Sequence, residues 1–142
     1  MKSNFITVTD TNVLIASQYG SENSPNKEYL KRWQNKEFIF LYSEDIMSEY
    51  FKKFKEKGIS KKIYMDLLSA IMFVGKKVAI KYFHFHKYPS DEKDIPFLLC
   101  ALNGEATHLI TYDKHLKELD DYYALKICET LEFLFELKQK EI

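Results

Sequence analysis

The chain has 142 residues, of which 46% are hydrophobic and 30% are charged, so we expect one domain over residues 1–142. The best apolar run, residues 67–75, is far shorter than the about 20 residues that a helix needs to cross a membrane, which excludes a membrane span. Asp10 and Asn12 interrupt the apolar stretch near the start and argue against a secretory signal, so we expect a cytoplasmic protein.

The net charge of zero conceals a strong asymmetry along the chain. Residues 52–87 contain ten lysines but only Glu56 and Asp66 as acids, whereas the rest of the chain is acidic. Such a basic block can attract a polyanion. The alternative is that these lysines form the solvated face of two helices.

β-rich and helical segments alternate in the first half. A strand is predicted at residues 5–9 and another at 38–42. Short helices are expected at residues 12–16 and 26–35. Ser43 is expected to cap the next helix, which ends at Gly58.

Ser60 is expected to cap a further helix. Its apolar stripe is predicted to be the buried face, and it consists of Ile63, Met65, Leu67, Leu68, Ile71 and Met72.

The second half continues the alternation. A strand is predicted at residues 78–80, continuing into 82–83. Asp94 then opens a helix that runs to residue 104. Strands follow at residues 108–111 and 126–128, and Thr130 caps a final helix. This order predicts an α/β fold in which a mostly parallel sheet is covered by helices on both faces, a three-layer α/β/α sandwich.

Four acidic residues fall where such a sheet binds its ligands, beyond the carboxyl ends of the strands. Asp10 follows the first strand, and Asp113 follows the strand at 108–111. Asp94 begins the helix that leads into that strand, and Glu49 lies in the helix after residues 38–42. The four carboxylates are therefore predicted to converge on one edge of the sheet.

Converging carboxylates need a counter-charge. Two unit charges about 4 Å apart repel by roughly 4 kcal/mol at an effective dielectric constant near 20. Mg²⁺ or Mn²⁺, which prefer oxygen ligands, would offset this repulsion and would assist hydrolysis of a phosphate ester.

Each acid also has a purely structural interpretation. Asp10 and Asp94 could be N-caps of their helices, and Asp113 could begin a turn. Glu49 could pair with Lys53 one helical turn later. The coincidence of all four favours a functional site.

Five segments resemble the signatures of the PIN domain family, and their order and spacing extend over nearly the whole chain. In sequence they are residues 9–15 (TDTNVLI), 43–50 (SEDIMSEY), 94–104 (DIPFLLCALNG), 109–116 (LITYDKHL) and 127–134 (ICETLEFL). The first, third and fourth segments are specific matches, the second matches loosely, and the last is similar to the closing strand and helix of the family. The chain is most similar to small bacterial and archaeal PIN proteins related to VapC-type toxins.

This resemblance implies an α/β/α sandwich and a Mg²⁺- or Mn²⁺-dependent ribonuclease that cleaves RNA. It also implies a small antitoxin protein as partner, and a homodimer. Carried over by position, the catalytic and metal-binding acids are Asp10, Glu49, Asp94 and Asp113. The supporting polar residues are Asn12 and Thr111, and Asp91 is a rival for the third acid.

The lysine block gives the resemblance a candidate substrate surface. Lys52, Lys53 and Lys57 follow Glu49, so we expect them to bind RNA near the acids. The pair His84 and His86 admits three interpretations: transition-metal ligands, a half-exposed strand end, or an aromatic and basic stretch that faces RNA.

Two other functions remain open. A PIN scaffold that binds RNA or protein without catalysis is one alternative. The other is a phosphatase similar to the haloacid dehalogenases, with Asp10 as nucleophile. That family places a second Asp where this chain has Asn12.

Overall fold

The computed structural model describes residues 4–140, which form an α/β fold around a five-stranded, fully parallel sheet. The strands are β1 (Ile6–Thr9), β2 (Ile39–Tyr42), β3 (Lys76–Lys77), β4 (His108–Ile110) and β5 (Lys126–Cys128). Their order across the sheet is β3-β2-β1-β4-β5. β1 therefore lies at the centre of the sheet.

Helices occupy the connections between the strands. They are α1 (Thr11–Ala16), α2 (Pro25–Gln34), α3 (Glu44–Glu56), α4 (Lys61–Val74), α5 (Ile95–Asn103), α6 (Lys114–Lys117) and α7 (Thr130–Lys140), with a 3₁₀ turn at Glu92–Asp94 before α5. In this described part of the chain, no helix is long and apolar enough to cross a membrane.

Helices lie on both faces of the sheet, as predicted. Phe40 of β2 stacks against Trp33 of α2, with ring centroids 4.7 Å apart. The next residue, Leu41, points to the opposite face and meets Gly104 at the end of α5. A Cβ on Gly104 would lie 2.5 Å from Leu41 Cδ1, so α5 approaches the sheet very closely there.

The predicted serine caps are confirmed. Ser43 Oγ accepts a hydrogen bond from the Ile46 amide of α3 at 3.3 Å, and Ser60 Oγ accepts one from the Ile63 amide of α4 at 3.4 Å. α3, which lies between Ser43 and Ser60, is followed by Gly58. Gly58 has a φ of 71°, a conformation that glycine adopts without steric cost.

Two local predictions are wrong. The strand predicted at residues 78–80 and 82–83 is replaced by β3, which lies two residues earlier. The Val78 amide still bonds to the Tyr42 carbonyl, but the amides of Lys81 and Tyr82 bond to the Asn103 side chain instead of a strand.

The buried face predicted for α4 is also too wide. Leu67, Leu68 and Ile71 are buried, whereas Ile63, Met65 and Met72 are 41–56% exposed. α4 packs against β2 and β3 at one edge of the sheet, so only the centre of its apolar stripe is covered.

Candidate active site

The four predicted acids line one pocket at the carboxyl end of the sheet. The cavity measures about 200 Å³. Its charged and polar lining consists of Asp10, Thr11, Asn12, Glu49, Lys53, Asp91, Lys93, Asp94 and Asp113. The parallel pairing of β1 with β4 explains this arrangement, since the Asp10 amide bonds to the Ile110 carbonyl at 2.9 Å. The chain therefore leaves both strands at the same edge.

Asp10 is buried and held by Thr111. Thr111 Oγ1 donates a 2.7 Å hydrogen bond to Asp10 Oδ2. Thr111 Oγ1 also accepts a hydrogen bond from the Asp113 amide at 2.9 Å. Burial raises the pKa of Asp10, while the Thr111 hydrogen bond opposes this rise. Thr111 thus links the first and fourth acids.

Asp94 carries an unsatisfied oxygen. Its Oδ2 is buried without a hydrogen-bond partner among the described residues. Burial, followed by the negative charges of Asp113, Asp10 and Asp91, raises its pKa to about 7. It stands at the N-cap position of α5 but forms no capping hydrogen bond within residues 4–140. The capping interpretation therefore does not explain this residue.

Asp113 and Glu49 are half-buried at the rim. Asp113 Oδ1 accepts a 2.8 Å hydrogen bond from the His115 amide, so this acid does cap α6. Glu49 lies on α3, which is fixed to β1 by a 2.5 Å hydrogen bond from the buried Tyr50 hydroxyl to the Thr9 carbonyl. That bond holds Glu49 beside the residue that precedes Asp10.

Two cations share the pocket with the acids. Lys53 Nζ lies 3.8 Å from the Glu56 carboxylate. Lys53 therefore pairs with Glu56 and not with Glu49, the partner that the helical spacing suggested. Lys52 and Lys57 are exposed on the same stretch of chain. Lys93 also lines the pocket; its only signal in the sequence is its position directly before Asp94.

The rim holds two further predicted residues. Asn12 is exposed there, and a hydrogen bond from its backbone opposes the rise in the pKa of Asp10. Asp91, the rival third acid, is exposed and accepts a hydrogen bond from the Lys93 amide at 3.0 Å. Of the two candidates for the third acid, Asp91 and Asp94, only Asp94 is buried.

The donor set suits a hard divalent cation. Carboxylate oxygens are the ligands that Mg²⁺ and Mn²⁺ prefer, and a cation would satisfy Asp94 Oδ2 and offset the mutual repulsion of the acids. As the side chains stand in residues 4–140, no group of three or more acidic, histidine or cysteine residues is placed to hold a metal ion. A bound cation would therefore require the acid side chains to rotate from these positions.

The remaining candidate ligands lie elsewhere. His84 and His86 are exposed outside the pocket. Cys100 and Cys128 are buried free thiols, and burial raises the pKa of each to about 12. Both thiols are therefore protonated at neutral pH, and neither lines the pocket.

Comparison with known proteins agrees with this architecture. The family model described as PIN domain matches residues 7–115. The structure of the T. brucei RRP44 PIN domain has a TM-score of 0.54 at 12% identity, over 98% of this chain and 84% of that chain; this likeness concerns the fold. No curated protein matches the sequence. PIN domains are generally nucleases that use divalent metal ions. Since the family model matches well over half of the sequence, the chain belongs to the PIN domain family.

Proposed function

We propose that this protein is a Mg²⁺- or Mn²⁺-dependent endoribonuclease whose catalytic and metal-binding residues are Asp10, Glu49, Asp94 and Asp113. The observation that carries the proposal is the Oδ2 atom of Asp94, which is buried without a partner among the described residues, in a pocket with four other acids. Such an atom costs folding free energy unless a ligand satisfies it. A pocket of this kind is suited to a cation.

The side chains of the pocket have distinct roles. A divalent cation bound there would activate water and stabilise charge on the phosphate oxygens. Thr111 fixes the orientation of Asp10 and of the backbone at Asp113. Lys53 and Lys93 provide positive charge beside the acids, which reduces the repulsion between the pocket and an RNA phosphate.

The lysines of the α3 region are the proposed RNA contacts. Lys52, Lys53 and Lys57 follow Glu49 on the same stretch of chain, and Lys53 enters the pocket. Four carboxylates repel RNA, and positive charge within about 8 Å, the Debye length at physiological salt, offsets this repulsion. This arrangement favours an RNA strand that passes along α3 to the acids.

We further propose that the protein is a cytoplasmic toxin that forms a homodimer and binds a small antitoxin protein. The support for this is the similarity of its motifs to those of VapC-type toxins. The exposed apolar residues of α4, among them Met72 and the 90% exposed Phe73, support a protein partner. Expression of the wild-type protein should arrest bacterial growth, and Asp10→Asn should not. Equal growth in both cases would contradict the toxin role.

The ribonuclease activity is tested with an unstructured RNA. The purified protein should cleave it with Mg²⁺ or Mn²⁺ and should stop in EDTA. Asp10→Asn should abolish cleavage and keep the fold, because the amide preserves the shape but not the charge. Asp66→Asn, an exposed aspartate on α4, is the matched control and should cleave normally. Cleavage in EDTA, or by Asp10→Asn, would overturn the mechanism, and binding without cleavage would indicate a non-catalytic scaffold.

A further inference from the structure

A segment outside the acid pocket exposes aromatic rings among basic side chains. We call residues 81–88 (KYFHFHKY) the aromatic strap. Its Tyr82, Phe83 and Tyr88 are 72%, 62% and 53% exposed. The strap has no acidic residue, and lysines and histidines separate most of its aromatic residues. Its outer surface is therefore both aromatic and cationic.

Side chains from other elements hold the strap in place, although it forms no helix or strand. Asn103 Oδ1 accepts hydrogen bonds from the amides of Lys81 and Tyr82 at 2.7 and 2.9 Å, and Asn103 Nδ2 donates to the Tyr82 carbonyl at 3.0 Å. At the other end, the Tyr123 hydroxyl bonds to both the amide and the carbonyl of Lys87. These contacts fix the backbone that carries the exposed rings.

Phe85 anchors the middle of the strap. It is half-buried, and its ring makes an edge-on contact with Tyr88 at 5.0 Å between centroids and with Tyr123 at 6.5 Å. The inward Phe85 thus supports Tyr88 from below. Tyr88 therefore loses little further freedom when it binds a flat ligand.

The neighbouring loop adds a further ring. Tyr122 is 52% exposed, and Lys87 Nζ lies 5.5 Å from its ring centroid. Asp121 and Ala124, on either side of the pair Tyr122 and Tyr123, have φ values of 64° and 56°. A left-handed alanine is uncommon and costs conformational energy. The fold bears this cost in a loop that presents two tyrosines at the strap.

We propose that the aromatic strap and Tyr122 form a stacking platform for single-stranded RNA. The inference rests on the proposed function and assigns a second part of its substrate surface. Bases stack on exposed aromatic rings in proteins that bind single strands, while basic side chains follow the phosphates.

The platform is continuous with the acid pocket along the chain. Tyr88 precedes Asp91, which lines the pocket, by three residues, so their backbones lie within about 10 Å of each other. Asn103, which holds Tyr82, ends the helix that Asp94 begins, so an RNA strand that occupies both the platform and the pocket must run the length of α5, about 14 Å. A protein partner would instead favour a contiguous apolar face, such as that of α4, rather than rings interleaved with cations.

RNA binding to Asp10→Asn, which should not cleave its ligand, tests the platform. The probe is a fluorescent, unstructured RNA of about 12 nucleotides, within the usual site sizes for single strands. When Tyr82→Ala and Phe83→Ala are added to the Asp10→Asn parent, the Kd for this RNA should rise by about tenfold or more, the expected effect of losing a stacked base. Tyr82→Phe keeps the ring and should bind like the parent.

Phe73→Ala is the matched control, because it removes a ring from α4 that is even more exposed than Tyr82 and Phe83 and should leave Kd unchanged. The platform is refuted if the parent does not bind RNA, or if the double variant binds it as tightly as the parent. It is also refuted if the double variant alters only self-association in sedimentation, which would indicate a protein contact. Failure of the wild-type protein to cleave RNA, with strap-dependent binding intact, would refute the nuclease proposal alone.

Discussion

Replacement of Asp94 by Asn should stabilise the metal-free protein at alkaline pH. The pKa of Asp94 is about 7 in the folded protein, against an ordinary value of 3.8. Below pH 3.8 the group is protonated in both the folded and unfolded states. As the pH rises to 7, the unfolded chain releases its proton while the folded chain retains it, so the free energy of unfolding falls.

The size of this effect follows from the two pKa values. Each pH unit between them lowers the free energy of unfolding by about 1.4 kcal/mol, so the full loss above pH 7 is on the order of 4 kcal/mol. At pH 5 only the first part of this interval has been crossed. The stability gained by Asp94→Asn should therefore be roughly 2–3 kcal/mol larger at pH 8 than at pH 5.

Urea denaturation in EDTA at both pH values measures this difference. Asp91→Asn is the matched control, since it removes a neighbouring but exposed charge and should change stability by less than about 1 kcal/mol. The reasoning is refuted if Asp94→Asn changes the free energy of unfolding equally at pH 5 and pH 8. It is also refuted if the variant is destabilised more at pH 8.

Three further predictions concern the site and its surroundings. Thr111→Val should lower the free energy of unfolding by about 1–3 kcal/mol in urea and slow cleavage, because Asp10 loses a buried hydrogen bond; wild-type values for both would contradict the role of Thr111. Mn²⁺ at about 100 times its Kd should stabilise the wild type by about 2.7 kcal/mol in thermal melts, and equal stabilisation of Asp10→Asn would place the ion elsewhere. Replacement of Lys52, Lys53 and Lys57 by Glu should weaken RNA binding in a salt series and reduce its salt dependence by roughly one unit of slope per lost phosphate contact, whereas an unchanged slope would identify these lysines as a solvated face.

Much of the fold was predictable because its signals are local. The strand that ends at Asp10 and the serine caps of α3 and α4 depend on residues a few positions apart. The shared edge of Asp10 and Asp113 then follows from a general property of parallel sheets. The edge of the sheet at which the pocket lies was predictable from this property together with the local signals for the strands.

Other features depend on contacts between distant segments. The bond from Tyr50 to the Thr9 carbonyl spans 41 residues and positions the helix that carries Glu49. The strand predicted near Val78 fails because Asn103, more than 20 residues away, takes the backbone amides that a strand would use. Such competition leaves no periodic signal in the sequence.

Calorimetric titration of Mn²⁺ into the RNA-free protein tests the proposed metal site without relying on turnover. The wild type should bind Mn²⁺, and four amide variants should each bind it much more weakly: Asp10→Asn, Glu49→Gln, Asp94→Asn and Asp113→Asn. Asp91→Asn should retain near wild-type affinity. Undiminished binding in the four variants, or loss in Asp91→Asn but not in Asp94→Asn, would contradict the assignment of the pocket.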